Sequence, residues 1–337
     1  MKAVVVQSKG AVAVVEVPEP VVGEYDVLCA VLAASVCSGT DHHIIHGHRY
    51  QNPRYPLILG HEAIGRVVAC GPNVRHLKVG DKVTRVMNRL PEGSGYHLQW
   101  GAFAERGIAT DWQAMREDGM GASEWSAYQV QRVLPDGIDP IEACMIITWR
   151  ETHSFFRQMG LARGSRLLVV GSGTQALAFT EQARNSGIGT VVVGNPERRE
   201  LFTNCGAASF VSYRDDYVPL LRSGGYAPFG AIIDAVGKSE PLHRALPFLA
   251  RGGKVGIYGL DEADNHAIDQ TRQDITYHAS NQYDEASSHD AVMAGLREGK
   301  LNPWSYLSKE HIYPLEKINE ALEACRTRKV LKSVIVF

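Results

Sequence analysis

Side chains able to bind a metal or carry a proton concentrate in two short segments of this 337-residue chain. The first, Ser35-Val36-Cys37-Ser38-Gly39-Thr40-Asp41-His42-His43, brings together a thiol, hydroxyls, a carboxyl and two imidazoles. The second, Gly60-His61-Glu62, sets an imidazole beside a carboxylate. Thiolate, imidazole and carboxylate are all suitable zinc ligands, and a catalytic zinc keeps one position open for water or a substrate oxygen. A lone cysteine is usually a small core residue, and a lone histidine is often a satisfied core or surface group. Residue type alone therefore does not separate a metal centre from ordinary packing.

A third segment points to different chemistry. The apolar run Arg166-Leu167-Leu168-Val169-Val170 leads into Gly171-Ser172-Gly173-Thr174-Gln175-Ala176 and then into a helical stretch, so a G-x-G-x-x-A turn lies between strand and helix. Gly171 permits the tight turn, Gly173 lets a pyrophosphate approach the backbone, and Ala176 lets helix pack on strand. The helix opening at Thr174 presents a partially positive N-terminus to phosphates. In isolation the motif is only a tight loop; three further β-α units behind it make it a dinucleotide site.

The position about 20 residues past these glycines, where an acid would hold ribose hydroxyls, is Val193, followed by Gly194 and Asn195. With no carboxylate to repel a 2′-phosphate, and with Arg198, Arg199, Tyr213 and Arg214 following, NADP is expected in preference to NAD. The competing reading makes Arg198 and Arg199 a solvated helix face.

These segments need scaffolds. From Met1 to about Arg150, short β-rich runs alternate with Gly, Pro, Asn and Asp, the pattern of an irregular β domain. From Gly164, continuous apolar strands alternate with helix-length segments, which indicates a parallel sheet covered on both faces. The last fifty residues hold helix candidates at 290–299 and 315–328 and a terminal strand at 332–337. The expected division is a catalytic β domain over 1–149, a nucleotide-binding domain over 150–285, and a return to the first domain over 286–337. A chain of this length exceeds the roughly 250 to 300 residues at which one core stops growing.

Composition narrows the partners. Apolar residues make up 45 % and charged residues 21 %, so no disordered linker is expected. A net charge of −2 without a Lys/Arg cluster gives nucleic acid no purchase. There is neither a signal-like N-terminus nor a run of about 18 apolar residues, so a cytoplasmic protein without membrane contact is expected. The six cysteines are spread singly, which predicts free thiols and one metal ligand rather than a disulfide scaffold.

The motifs in order resemble the medium-chain dehydrogenase/reductase family. They are Cys37 ahead of Thr40-Asp41, the stretch from Gly60-His61-Glu62 to Gly65 and Val67, Val79-Gly80-Asp81-Lys82-Val83, Gly101-Ala102-Phe103-Ala104-Glu105, and the turn at Gly171. Together they span nearly the whole chain. The resemblance implies an α/β protein in which a GroES-like β domain is joined to a Rossmann doubly wound parallel-sheet domain, with a catalytic zinc in the cleft between them. Cys37 and His61 would be ligands and Glu62 a ligand or close neighbour. Thr40 would be the relay hydroxyl that passes a proton through the cofactor ribose toward His43. Homodimers or homotetramers are usual in the family.

The chain departs from the family pattern at several points. Two residues, Ser38 and Gly39, separate Cys37 from Thr40 where many relatives have one. No cysteine lies between Cys70 and Cys144, so one catalytic zinc and no structural zinc are expected. The usual third-ligand position falls on Ile147, which cannot bind metal. Members resembling sorbitol dehydrogenase use cysteine, histidine, the glutamate of Gly-His-Glu and water, and this chain reads that way. Glu151 and His153 lie nearby, able to replace the lost group or to bind substrate. Asn88 and Trp149 are further substrate candidates, and His46 and His48 form a loop pair not expected to hold metal.

The function this implies is reversible oxidation of a secondary alcohol on a polyol, sugar or cyclitol with NAD(P). The alternatives are a zinc-free relative that reduces an activated double bond or quinone, and a non-catalytic nucleotide-binding protein of the same fold.

Overall fold

The computed structural model describes residues 1–48, 52–262, 272–279 and 284–337. The chain packs as two compact units, Met1–Ile147 with Tyr306–Phe337, and Thr148–Ser305. In the first unit the chain runs through β1 (Lys2–Ser8), β2 (Ala11–Glu16), β3 (Asp26–Ser35), α1 (Thr40–Ile45), β4 (Leu57–Ile58), β5 (Ala63–Cys70), β6 (Lys82–Thr84), β7 (His97–Leu98) and β8 (Arg106–Thr110). Then follow α2 (Trp112–Glu117), α3 (Ala122–Trp125) and β9 (Val133–Leu134). The helix α4 (Pro140–Gln158) carries the chain into the second unit.

The second unit alternates strand and helix: β10 (Arg166–Val170), α5 (Thr174–Asn185), β11 (Gly189–Gly194), α6 (Arg199–Asn204), β12 (Ser209–Ser212), α7 (Tyr217–Ser223), β13 (Phe229–Asp234), α8 (Ser239–Ala245), β14 (Leu249–Ile257), β15 (Thr276–Ala279) and α9 (His289–Arg297). The chain returns to the first unit through β16 (Ile312–Pro314), α10 (Ile318–Arg326) and β17 (Val334–Val336).

The six strands of the second unit lie in the order β12-β11-β10-β13-β14-β15, all parallel. This is the doubly wound order in which two βαβαβ halves diverge from the first strand. Leu168, Val170, Val191, Val193, Ile232 and Val255 are buried in its core, as expected for strands covered on both faces. The first unit holds a four-stranded sheet, β2-β1-β4-β7, and a seven-stranded sheet, β16-β17-β3-β5-β6-β9 with β8 also paired to β3. Val27, Val31, Val67, Val83, Ile318 and Ile335 pack in its core. The expected combination of an irregular β unit and a doubly wound parallel sheet is thus present.

The return to the first unit starts at Tyr306, whereas the sequence reading put it at 286. Side-chain ties explain the difference. The fully buried Arg150 of α4 pairs with Glu285, and its Nη1 lies 3.3 Å from His289 Nδ1. Arg184 of α5 donates to the Lys300 carbonyl. α9 is amphipathic either way, so its pattern could not say which unit it covers. No helix among the described residues is long and apolar enough to cross a membrane.

Candidate functional site

Strand register gathers the first site. β3 is antiparallel to both β17 and β5, with Ser35 opposite Val334 and Ala34 opposite Ala63. The end of β3 therefore meets the starts of β17 and β5, and Cys37, His61-Glu62 and Lys332 converge at one edge of the sheet. Backbone bonds hold the junction: Ser35 N–H donates to Glu62 O at 2.8 Å, and Val36 N–H to Ser333 O at 2.9 Å. Gly60 has φ +95°, and a Cβ there would meet Phe103 Cδ1 at 2.2 Å, so only glycine allows the chain to turn into His61 at this point.

Cys37, His61 and Glu62 each offer one ligand atom, and these atoms lie within 4.8 Å of one another. All three side chains are buried, and they form the only such group of three or more His, Cys, Asp or Glu among the described residues. The fully buried Asp41 orients two of them. Its Oδ2 accepts the Cys37 N–H at 2.9 Å, and its Oδ1 stands 3.3 Å from His61 Nδ1. A carboxylate this close to Nδ1 favours the proton on that nitrogen and so leaves Nε2 as the lone-pair nitrogen, the arrangement of outer supports behind metal-bound imidazoles. Glu62 is held by the Ser35 hydroxyl, donating to Oε2 at 2.6 Å, and by the buried Lys332 ammonium on the same oxygen.

The electrostatics favour a cation here. Burial alone would lower the His61 pKa, but the Asp41 carboxylate and the Cys37 thiol carry it well above its ordinary value. Burial would raise Glu62, and Lys332, His61 and the Ser35 hydroxyl outweigh it and bring the carboxyl down to about 2. Glu62 is therefore ionised, as a ligand must be. A soft thiolate beside an imidazole and a carboxylate fits zinc better than magnesium or calcium, which take oxygen donors.

Thr40 opens the one-turn helix α1, and His43 stands three residues on, so the two share a helix face. His43 is 3 % exposed, and its ring stacks on that of His48 at 4.3 Å between centroids. His46 packs instead on His42, at 4.0 Å. Asn88 serves the loop around it: its amide donates to the carbonyls of Gly101 at 3.0 Å and Arg106 at 2.9 Å, leaving Oδ1 buried without a hydrogen bond. Beside it, Trp100 places its ring 5.1 Å from that of His61.

In the second unit, the turn after β10 is shaped as its glycines predict. Gly171 has φ +119°, and a Cβ there would meet Val236 Cγ2 at 3.0 Å. A Cβ on Gly173 would meet nothing within 4 Å. The fold does not demand that glycine, and its absent side chain leaves a cradle for a phosphate at the start of α5. Thr174 and Ala176 are buried in the first turn of that helix. Ser172 ties the turn to the end of β11: its Oγ accepts the Asn195 N–H at 2.9 Å, and its carbonyl accepts from Arg198 Nη1 at 2.6 Å. Gly194 leaves room for this contact, since a Cβ there would meet Ser172 Cβ at 2.6 Å.

The two neighbouring arginines differ. Arg199 lies over the Phe210 ring at 5.4 Å and donates to the Phe210 carbonyl at 2.5 Å, so it packs α6 on β12. Arg198 alone is aimed at the glycine turn. Tyr213 is 45 % exposed, and Arg214 pairs with Glu197 at 2.9 Å.

The polar run at the middle of α4 is largely an internal brace. Arg150 pairs with Glu285, His153 Nδ1 lies 2.9 Å from Ser288 Oγ, and Ser154 Oγ accepts the Asp284 N–H at 2.7 Å. Burial, with Arg157 nearby, lowers the His153 pKa. Trp149 and Glu151 are buried. Sequence reasoning gave Ser35, Lys332 and Trp100 no role and left Asp41 without one. Lys332 carried a signal, since a lysine in an apolar terminal strand needs a partner; the identity of that partner depends on strand register.

Residues 23–119 match the alcohol dehydrogenase GroES-like domain. An alcohol dehydrogenase of Geobacillus stearothermophilus is 30 % identical over 268 residues, 77 % of this chain and 78 % of that protein. L-galactonate-5-dehydrogenase of Escherichia coli strain K12 is 28 % identical over 94 % of each chain. Among solved structures, the alcohol dehydrogenase TADH from Thermus sp. ATN1 superposes with a TM-score of 0.80 at 26 % identity, covering 100 % of this chain and 99 % of its own.

Proposed function

The chain belongs to the medium-chain dehydrogenase/reductase family of alcohol dehydrogenases, and from that premise we propose how it acts as an NAD(P)-dependent oxidoreductase on secondary alcohols. One zinc is held by Cys37, His61 and Glu62, NADP is the preferred cofactor, and the substrate is a polyol, sugar or cyclitol. The convergence of the three ligand atoms within 4.8 Å carries this reading. The L-galactonate-5-dehydrogenase among its relatives supports a hydroxyl-rich substrate.

Zinc bound there supplies a Lewis acid that lowers the alcohol's pKa, and the nicotinamide supplies the hydride acceptor. The chain's own residues do the rest. Asp41 holds His61 in its ligating tautomer, and Ser35 and Lys332 keep Glu62 ionised and fixed. Thr40 receives the alcohol proton at Oγ1, and His43, on the same face of α1, takes it onward. Gly171, Gly173 and the first turn of α5, from Thr174 to Ala176, receive the pyrophosphate. Arg198 supports the NADP preference: it stands at the glycine turn, Gly194 and Asn195 offer no carboxylate against a 2′-phosphate, and Tyr213 is exposed beside them. Arg199 is committed to Phe210, which leaves it a packing role.

The test combines metal analysis with a panel of polyols, sugars and cyclitols, for wild type and the variants Cys37→Ala and His61→Ala. About one zinc per wild-type chain is expected, with zinc and turnover lost together in both variants and NADP binding retained. Full activity in either variant would remove zinc from the chemistry.

A further inference from the structure

Trp100 occupies a backbone conformation that tryptophan rarely adopts. Its φ is +65°, and the next residue, Gly101, has φ +70°. A bulky residue held in the left-handed region is strained and persists only where its surroundings impose it. They do so here: the Trp100 carbonyl accepts the Asn88 N–H at 2.6 Å, Gly101 N–H donates to Gln99 O at 2.9 Å, and Ala102 N–H donates to the carbonyl of Gly60, the residue before His61. This strain does not bury the ring. Trp100 remains 41 % exposed while its ring centroid lies 5.1 Å from that of the buried His61, tilted by 45°. A residue chosen for packing would bury its indole, and one chosen for the turn would be glycine. What the loop achieves is a partly exposed tryptophan whose ring lies against His61, one of the three candidate ligands.

We propose that Trp100 is a substrate-positioning residue whose indole receives the C–H face of a ring-shaped polyol and so selects which hydroxyl meets Cys37, His61 and Glu62. Carbinol C–H bonds, polarised by their oxygens, suit the negative face of an aromatic ring. A ring presents several such bonds together on one side, whereas an open chain must first be ordered. The inference rests on the alcohol-oxidising reading of this site.

The experiment compares zinc-loaded wild type, Trp100→Phe and Trp100→Gly on myo-inositol, scyllo-inositol and methyl β-glucoside against sorbitol and ribitol. Both kcat/KM and equilibrium binding by calorimetry are measured, with zinc content and Tm alongside. In Trp100→Gly the ratio of ring to open-chain kcat/KM is expected to fall roughly three- to tenfold, carried by KM. Trp100→Phe should lie between, and Tm should hold or rise as the backbone strain is relieved. Equal losses on both substrate groups, or a lowered Tm with zinc lost, would make Trp100 a packing residue and overturn the proposal. So would ring polyols binding wild type no better than Trp100→Gly. Ring polyols that bind through Trp100 while no polyol of either group is oxidised would refute the polyol-oxidising reading of the site and, with it, the selection of a hydroxyl, leaving Trp100 a ring-binding residue alone.

Discussion

Replacing Lys332 with Met keeps most of the side-chain stem and removes only the ammonium. Lys332 is 2 % exposed and its partner Glu62 is fully buried, so no water can take over from the lost cation. Breaking a buried pair from one side typically costs about 3–5 kcal/mol. Ser35 still donates to Glu62 and holds the cost toward the lower end. At about 2–4 °C per kcal/mol, the first unit should melt roughly 6–20 °C earlier in chelator-treated protein. Zinc loading should recover part of this, because the metal also balances the carboxylate. The double variant Glu62→Gln, Lys332→Met should recover most of it, giving a coupling energy of about 2 kcal/mol or more in a double-mutant cycle.

The pair also sets an acid limit. Glu62 has its pKa depressed from the 4.5 of an unpaired carboxyl to about 2, so its contribution is full above about pH 4.5 and lost as pH falls toward 2. Thermal melts across pH 2 to 7 and a urea series supply the measurements. If Lys332→Met lies within about 0.5 kcal/mol of wild type in chelated and loaded forms alike, the pair does not hold Glu62 and the electrostatic account of the site is wrong.

Asp41→Asn keeps the shape of the side chain that touches Cys37 N–H and His61 Nδ1 but removes its charge. Zinc affinity should fall about 10- to 100-fold, as read by competition with a chromogenic chelator; unchanged affinity would show that Asp41 does not support the ligand. Arg198→Ala should lower the ratio of kcat/KM for NADP over NAD by about 10- to 100-fold, the value of one charge-assisted bond to a phosphate. Arg199→Ala should leave that ratio nearly unchanged and lower stability instead, through the contact with Phe210. Equal effects on the ratio from both variants would contradict the separation of their roles.

The fold was legible where local pattern decides it. β10, the turn at Gly171-Ser172-Gly173 and α5 follow one another in a way few other structures allow, and the later β-α units repeat the pattern. The reach of the second unit was less legible. α9 is held there by the buried Arg150 and its partners Glu285 and His289, which lie far apart in sequence. At the first site, the candidates Cys37, His61 and Glu62 could be picked out by residue type and motif and do converge, but the residues that hold them in place could not. Ser35 and Lys332 reach Glu62 only because β3 lies between β5 and β17, and pairing register is a property of the assembled sheet. Arg198 and Arg199 are adjacent and chemically identical, and only the position of Phe210 separates the side chain that reaches the glycine turn from the one packed on β12. His153 looked available for substrate until its contact with Ser288 placed it in the brace that supports α4.

X-ray absorption at the zinc edge, on protein carrying about one equivalent of metal, reads out the atoms that Cys37, His61 and Glu62 would place around the ion. A shell containing one sulfur near 2.3 Å and nitrogen or oxygen neighbours near 2.0–2.2 Å is predicted, with the sulfur lost in Cys37→Ser. A shell of nitrogen and oxygen alone in the wild type, or a sulfur that survives the substitution, would contradict it.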